Sequence, residues 1–165
     1  MIKTICAVGP NGEFGKGDGL PWNVPGDLSY FKFFTYDCIL VMSRTAFESL
    51  PGKLPGRKHI VLSDSECVAK NGAKPDFIIP ENVSLKLVCE LLDGMNEEDV
   101  AVIGGRKLLA EAMEFADKVS VTEINAEIVG EADVYFEGWG LARLNEKGVL
   151  DINEVAYGRI LEWVL

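Results

Sequence analysis

The sequence has one histidine, His59, and four cysteines, Cys6, Cys38, Cys67 and Cys89, that are far apart in the chain. There is no Cys-x-x-Cys pair, so neither a zinc site nor a disulfide framework has the spacing it needs. The thiols read as small buried hydrophobes in a reducing compartment, and no metal is expected. Positive charge is also short: 16 Lys and Arg against 26 Asp and Glu give a net charge of −10. Nucleic-acid affinity comes from clustered cations, so a nucleic-acid partner is not expected, and any anionic ligand must be held by a few local cations against the overall field. No apolar run reaches the length of a membrane span, and the short run before Gly9 reads as a strand rather than a leader. The expectation is a cytoplasmic protein with no membrane partner.

Two nucleotide-binding signatures are missing as well. Gly15-Lys16 is followed by Gly17 where a phosphate-binding loop needs Ser or Thr, and Pro10 stands where its first glycine belongs; the GxGxxG fingerprint is absent. What the region does have is five glycines between Gly9 and Gly19, too many for a regular element. A mobile loop is expected there, of the kind that acts as a lid beside a site.

The remaining chain alternates. With 165 residues, 48% hydrophobic and 25% charged, it has the size and composition of one globular domain spanning residues 1–165. Strands are expected at 2–8, 38–42, 59–62, 77–79, 100–103 and 118–124, with an antiparallel pair at 152–157 and 159–165 bent at Gly158. Helices are expected from about Asp27, from Ser43 to Leu50, from Ser84 to Leu92 and from Arg106 to about Phe115. The fold class is α/β: a central, mainly parallel sheet with an antiparallel C-terminal strand pair, flanked by about four helices.

The stretch from Leu20 to Thr35, LPWNVPGDLSYFKFFT, organises the rest. Asn23 can cap a helix and Pro25 suits its first turn, so Asp27 begins a helix. Steps of three and four from Asp27 reach Tyr30, Phe31 and Phe34, which puts the acid at the end of an apolar stripe expected to face inward. A carboxylate held there loses water, its pKa rises, and it becomes a candidate proton donor or a partner for a buried amide-like group. An acid in a first turn also favours the helix dipole and needs no function.

Two strand-to-helix turns suit anions. Ser43-Arg44-Thr45 supplies backbone N–H groups and a guanidinium, although a plain cap with a solvated arginine reads equally from these residues alone. Gly104-Gly105-Arg106-Lys107 lets a ligand approach the backbone at a helix start and is the best pyrophosphate candidate.

Taken in order, LPWNVPGDLSYFK, VMSRTAFESL, LPGRKHIVLS, VIGGRKLL and VTEINAEIVGEADVYF resemble the dihydrofolate reductase family, across nearly the whole chain. The resemblance implies the single-domain fold of that family, a dihydrofolate substrate, NADPH as cofactor and a role in one-carbon metabolism. It also implies sensitivity to antifolate inhibitors and a monomer. Asp27 matches the family acid that grips the pterin and promotes protonation at N5 while NADPH delivers hydride to C6. Thr122 matches the threonine of that network, and Trp22 and Leu20 sit on the lid. His59 lies beyond LPGRK at a strand start and is rejected as the general acid.

Leu28, Phe31, Leu50 and Leu54 resemble the apolar wall around the p-aminobenzoyl ring. Arg57 resembles the partner of the α-carboxylate, for which a bidentate fork suits better than lysine. Ile5 and Ile103 bracket the floor, and Ala7 and Phe14 match backbone positions that hold the nicotinamide carboxamide, with Gly15 beside them. For the rest of the cofactor the resemblance implies Ser43, Arg44, Thr45, Ala46, Leu62, Ser63, Asp64, Gly104, Gly105, Arg106, Lys107, Leu108 and Leu109, with a cis peptide between Gly104 and Gly105. Ser43 departs from the usual glycine, Ala46 from the common threonine and Leu109 from a frequent aromatic. Asp64 would repel a 2′-phosphate that Arg44 attracts. Two competing readings are the related reductase of riboflavin synthesis, whose substrate lacks the glutamate tail that Arg57 would serve, and a catalytically silent nucleotide-binding module.

Overall fold

The computed structural model describes residues 1–137 and 141–165. Strands β1 (Ile2–Val8), β3 (Ile39–Ser43), β4 (Lys58–Leu62), β5 (Phe77–Ile79), β6 (Val100–Gly104), β7 (Lys118–Ile124), β9 (Val149–Val155) and β10 (Gly158–Val164) form one sheet in the order β5-β4-β3-β6-β1-β7-β10-β9. All pairings from β5 to β7 are parallel, and β10 runs antiparallel to both neighbours. The parallel strands are apolar runs because both faces are covered: Leu40, Val41 and Met42 are each fully buried.

Side-chain alternation divides the sheet into two faces. Ile2, Cys6 and Val8 of β1, Ile39 and Val41 of β3, Val100 and Val102 of β6 and Val119 and Val121 of β7 share one core. Helices α3 (Leu85–Met95) and α4 (Arg106–Ala112) pack on that face through Leu85, Cys89, Leu109 and Ala112. Leu40, Met42, Val61 and Ala101 form the opposite core with Phe47 of α2 (Arg44–Ser49). Each fully buried Val, Leu, Met or Phe among them contributes about 1.5–3 kcal/mol over an exposed one. Helix α1 (Pro25–Phe34) lies on this second face too, farther along: Tyr30 shares a 2.8 Å hydrogen bond with Ser120 of β7, and Lys3 of β1 donates to the Phe34 carbonyl at 3.3 Å. Between α1 and α2 the second face of β1 and β6 is left without a helix, and there the site is built.

Several elements differ from the sequence reading. The glycine-rich loop contains a short strand, β2 (Glu13–Gly15), paired with β8 (Val134–Tyr135) in a second sheet, because Phe14 packs edge-on against Phe136 at 5.6 Å. A fifth helix among the described residues, α5 (Leu141–Lys147), lacked a periodic apolar signal in its few residues. The cap of α1 is Val24, with no side-chain bond, rather than Asn23, while Ser43 and Ser84 do cap α2 and α3 by accepting from Ala46 and Leu87. The stripe on α1 faces inward, with Phe34 buried and Tyr30 and Phe31 half-buried, but Leu28 beside it is 54% exposed. Gly158 opens β10 after a two-residue turn, and a Cβ there would come 1.9 Å from the Glu123 carbonyl oxygen. Only glycine fits that approach.

Candidate active site

Helix α1 crosses β7 so that i, i+3 positions on the helix meet i, i+2 positions on the strand. Tyr30 stands over Ser120, and one turn earlier Asp27 meets Thr122, whose neighbour in the sheet is Ala7. Asp27 is half-buried, and burial pushes its carboxyl above the usual range; the Trp22 indole and the Thr122 hydroxyl pull it partly back. Trp22 is 7% exposed and its Nε1–H has no partner meeting hydrogen-bond geometry, including Asp27 itself. A buried donor without an acceptor costs about 1–3 kcal/mol. Next to a desolvated carboxyl, it marks a place where a polar ligand atom or a water is wanted.

The sequence did not indicate Tyr157 at the β9–β10 turn. Its ring covers Gly26, where an added Cβ would sit 2.7 Å from Cε1, and the nearby Asp27 charge helps raise its phenol pKa after burial. The missing side chain at Gly26 was the only signal in the sequence.

Ile5, Ala7 and Ile103 point onto the second face of β1 and β6, between the two helices. Leu28 and the half-buried Phe31 lie on the α1 side. Leu50 and Leu54 lie on the α2 side, where both lean on the second core. Arg57 ties the two sides together. Its Nε donates to the Thr35 carbonyl at 3.0 Å and hydroxyl at 3.2 Å, Nη1 to the Pro55 carbonyl at 2.6 Å and Nη2 to the Lys32 carbonyl at 2.7 Å. One N–H on each terminal nitrogen is left over among the described residues, which is the donor pair a carboxylate takes.

At the other end, the β3–α2 and β6–α4 turns touch. The Gly104–Gly105 peptide is cis, and a Cβ on Gly104 would lie 3.3 Å from that of Ala46. Ser43, in place of the usual glycine, has a use here: its Oγ accepts from Ala46 N at 3.2 Å and from Gly105 N at 3.1 Å, joining the turns. Thr45, Arg106 and Lys107 are exposed at the helix starts, and Gly105 and Leu108 are half-buried. Arg106 donates to the Tyr135 carbonyl at 2.8 Å. Arg44 pairs with Glu48 at 3.2 Å and donates to Ser65 Oγ at 3.2 Å. Asp64 is turned to the Glu81 N–H at 3.0 Å. A cradle of small residues with three cations, on a chain of net charge −10, fits a dinucleotide pyrophosphate.

Other residues expected at the site have little surface there or lie in other elements. Leu109 is fully buried in the core under α4 and has no surface to offer a ligand; its neighbour Leu108 is the one partly open. Leu62 is 5% exposed, and Ser63, at 2%, spends its hydroxyl on the carbonyl and N–H of Ser65. In the glycine-rich loop, Leu20 is 58% exposed, Phe14 and Gly15 belong to β2, and Asp18 at the tip pairs with Lys70 at 2.9 Å. His59 is buried away from the cleft and hydrogen-bonded within the protein. No helix among the described residues is long and apolar enough to cross a membrane, and no cluster among them has metal-ligand composition.

Comparison with known proteins shows the family. The family model described as dihydrofolate reductase matches residues 1–148. The dihydrofolate reductase of Bacillus subtilis is 35% identical over 131 residues, covering 79% of this chain and 73% of that one. Dihydrofolate reductase type 3 of Salmonella typhimurium is 32% identical over 142 residues (84% and 83%), and type 9 of Escherichia coli 30% over 143 (85% and 81%). With the model spanning most of the sequence, the chain belongs to the dihydrofolate reductase family of oxidoreductases.

Proposed function

We propose that the protein reduces 7,8-dihydrofolate to tetrahydrofolate with NADPH, and that Asp27 is the residue on which substrate binding and proton delivery turn. The observation that carries this reading is the half-buried Asp27 carboxyl beside an orphaned Trp22 N–H and the Thr122 hydroxyl, at the edge of an apolar cleft. A carboxylate there accepts two aligned hydrogen bonds from the 2-amino and N3 side of a pterin. Desolvation keeps its affinity for a proton high, which favours protonation at N5. Trp22 supplies a donor for a polar atom lying between it and Asp27. Ile5, Ala7 and Ile103 floor the ring, Leu28, Phe31, Leu50 and Leu54 enclose the p-aminobenzoyl group and exclude water, and the spare donors of Arg57 take the α-carboxylate.

Ser43, Arg44, Thr45, Ala46 and Gly104 to Leu108 would hold NADPH, with Ala7, Phe14 and Gly15 around its nicotinamide and Leu62 to Asp64 near its adenosine end. When bound, it supplies the hydride for C6. Arg44 favours the 2′-phosphate; Glu48 weakens that pull, and Asp64 weakens it less because its carboxylate caps Glu81. Loss of NADPH absorbance on adding dihydrofolate to the purified protein tests the reaction. Turnover with dihydrofolate and NADPH is expected; a folded protein inert with both nicotinamide cofactors would leave only a binding module. The spare donors of Arg57 favour a tailed folate over a ribosylaminopyrimidine.

A further inference from the structure

The sole histidine lies outside the cleft, and the reaction proposed above does not use it. It is fully buried at the start of β4, with its ring edge-on to Phe47 at 6.0 Å. Its two nitrogens are both engaged. Nε2 accepts from the Leu54 N–H at 3.0 Å, and Nδ1 lies 3.2 Å from the Arg57 carbonyl. Because Leu54 N can only donate and the Arg57 carbonyl can only accept, the ring must be neutral, with its proton on Nδ1.

This ring closes the loop from Leu50 to Lys58. The start of that loop is held by Lys70 N on the Leu50 carbonyl (2.9 Å) and Asn71 N on the Pro51 carbonyl (3.0 Å). Its middle is held by Leu54 on His59 and by Lys53 on Asp76, an ion pair at 2.8 Å. Asp76 in turn accepts the backbone N–H of His59 at 2.7 Å. We propose that His59 is a positioning residue: its neutral imidazole latches the loop that carries Leu54 and Arg57, and thereby sets how tightly an anionic substrate tail is held. This rests on the folate reading of the same cleft.

A second proton on the ring would set the Nε2–H against the Leu54 N–H, donor against donor. The charged groups facing the ring are Lys53 and Arg57 of the loop, which oppose protonation, and Asp76, 4.0 Å from Nδ1, which favours it but is shared with Lys53. Burial lowers the imidazole pKa, against the Arg57 carbonyl, so the latch is closed at neutral pH and opens in acid.

Being the only histidine, the ring can be titrated by NMR in the full protein without assignment ambiguity. As it titrates, hydrogen exchange at the Leu54 amide is expected to accelerate. Over the same range the KM for dihydrofolate is expected to rise on the order of fivefold, the worth of one neutral hydrogen bond. The KM for a dihydropterin without the p-aminobenzoylglutamate tail should not follow the ring, since it reports Asp27 without Arg57. His59→Gln, whose Oε1 can accept from Leu54 without titrating, should keep kcat and flatten that pH dependence. His59→Leu should raise the KM for dihydrofolate at all pH values.

Titration of the ring with no change at Leu54, parallel changes for the tailed and tail-less substrates, or an unchanged pH dependence in His59→Gln would each overturn the latch. An opening latch in a protein that reduces neither substrate would uphold the Leu54 contact, overturn its link to the substrate tail, and count against the proposed reaction separately.

Discussion

Asp27 and His59 are both desolvated ionisable groups on the same side of the sheet, and they are treated in opposite ways. Burial raises the acid and lowers the base, so both are biased toward their neutral forms. His59 has a partner for each nitrogen inside the protein. Asp27 sits beside an indole N–H that has none. Proteins rarely leave a buried donor unpaired without use, so an incomplete polar set points to a ligand and a complete one to scaffolding. The burial of the two groups alone would not have separated them.

The change that tests this contrast hardest is Asp27→Asn. It keeps the shape and removes the acid, and dihydrofolate reduction at neutral pH is expected to fall about 10²–10⁴-fold, the usual worth of a positioned proton-transfer group. Cofactor binding, followed by tryptophan fluorescence, should be unchanged. Reduction at the parent rate would end the proton role assigned to Asp27. A milder change, Thr122→Val, removes one of the two groups that hold the Asp27 carboxyl down. The midpoint of the pH profile of kcat/KM should move upward by about one unit or less, since one hydrogen bond is worth about 1 kcal/mol. A downward shift would mean that the profile reports some other group.

Stability should show the same opposition. The raised Asp27 pKa means that the native state binds more protons than the unfolded chain between the two pKa values, so its contribution is full below the unfolded value and is lost as pH rises through the folded one. The lowered His59 pKa has the reverse sign: its contribution is full above the unfolded value and is lost as pH falls through the folded one. Urea midpoints across the mildly acidic range should therefore show Asp27→Asn equal to or above the parent toward neutral pH. His59→Gln should lack the parent's loss of stability toward acid. Equal pH slopes in the parent and both variants would mean that neither group is perturbed as described.

Much of this was legible in the sequence because it is local. Strands β1, β5 and β7 are continuous apolar or alternating runs between turn signals, and the Ser43 and Ser84 caps are set by their own next turn. The position of Asp27 on α1 and its stripe of Tyr30, Phe31 and Phe34 could be read, but helical spacing says which residues share a face, not how much of that face the sheet covers, and Leu28 beside the stripe stays exposed. Leu109 came from the resemblance rather than from spacing; α4 turns it fully into the core, while Leu108 is half-buried against that core. Contacts made between distant residues were invisible. Tyr157 over Gly26 and β2 against β8 depend on how separate segments meet, and no local pattern encodes that.

The smallest effect is expected where the lid spans from one of these regions to the other. The segment proposed as a lid carries Trp22 beside Asp27, and its tip is drawn by Asp18 to Lys70, whose backbone holds the start of the loop that His59 is proposed to latch. Lys70 holds the Asp18 carboxyl below its usual range, so the attraction is real, but both side chains are about half or more exposed and water and salt screen it. Asp18→Asn should therefore change KM and kcat by no more than about twofold, and 0.5 M salt should erase the difference. A tenfold loss that persists in salt would show that lid closure depends on this pair. The difference between Asp27 and His59 would then depend on the state of the lid as well as on what each group touches.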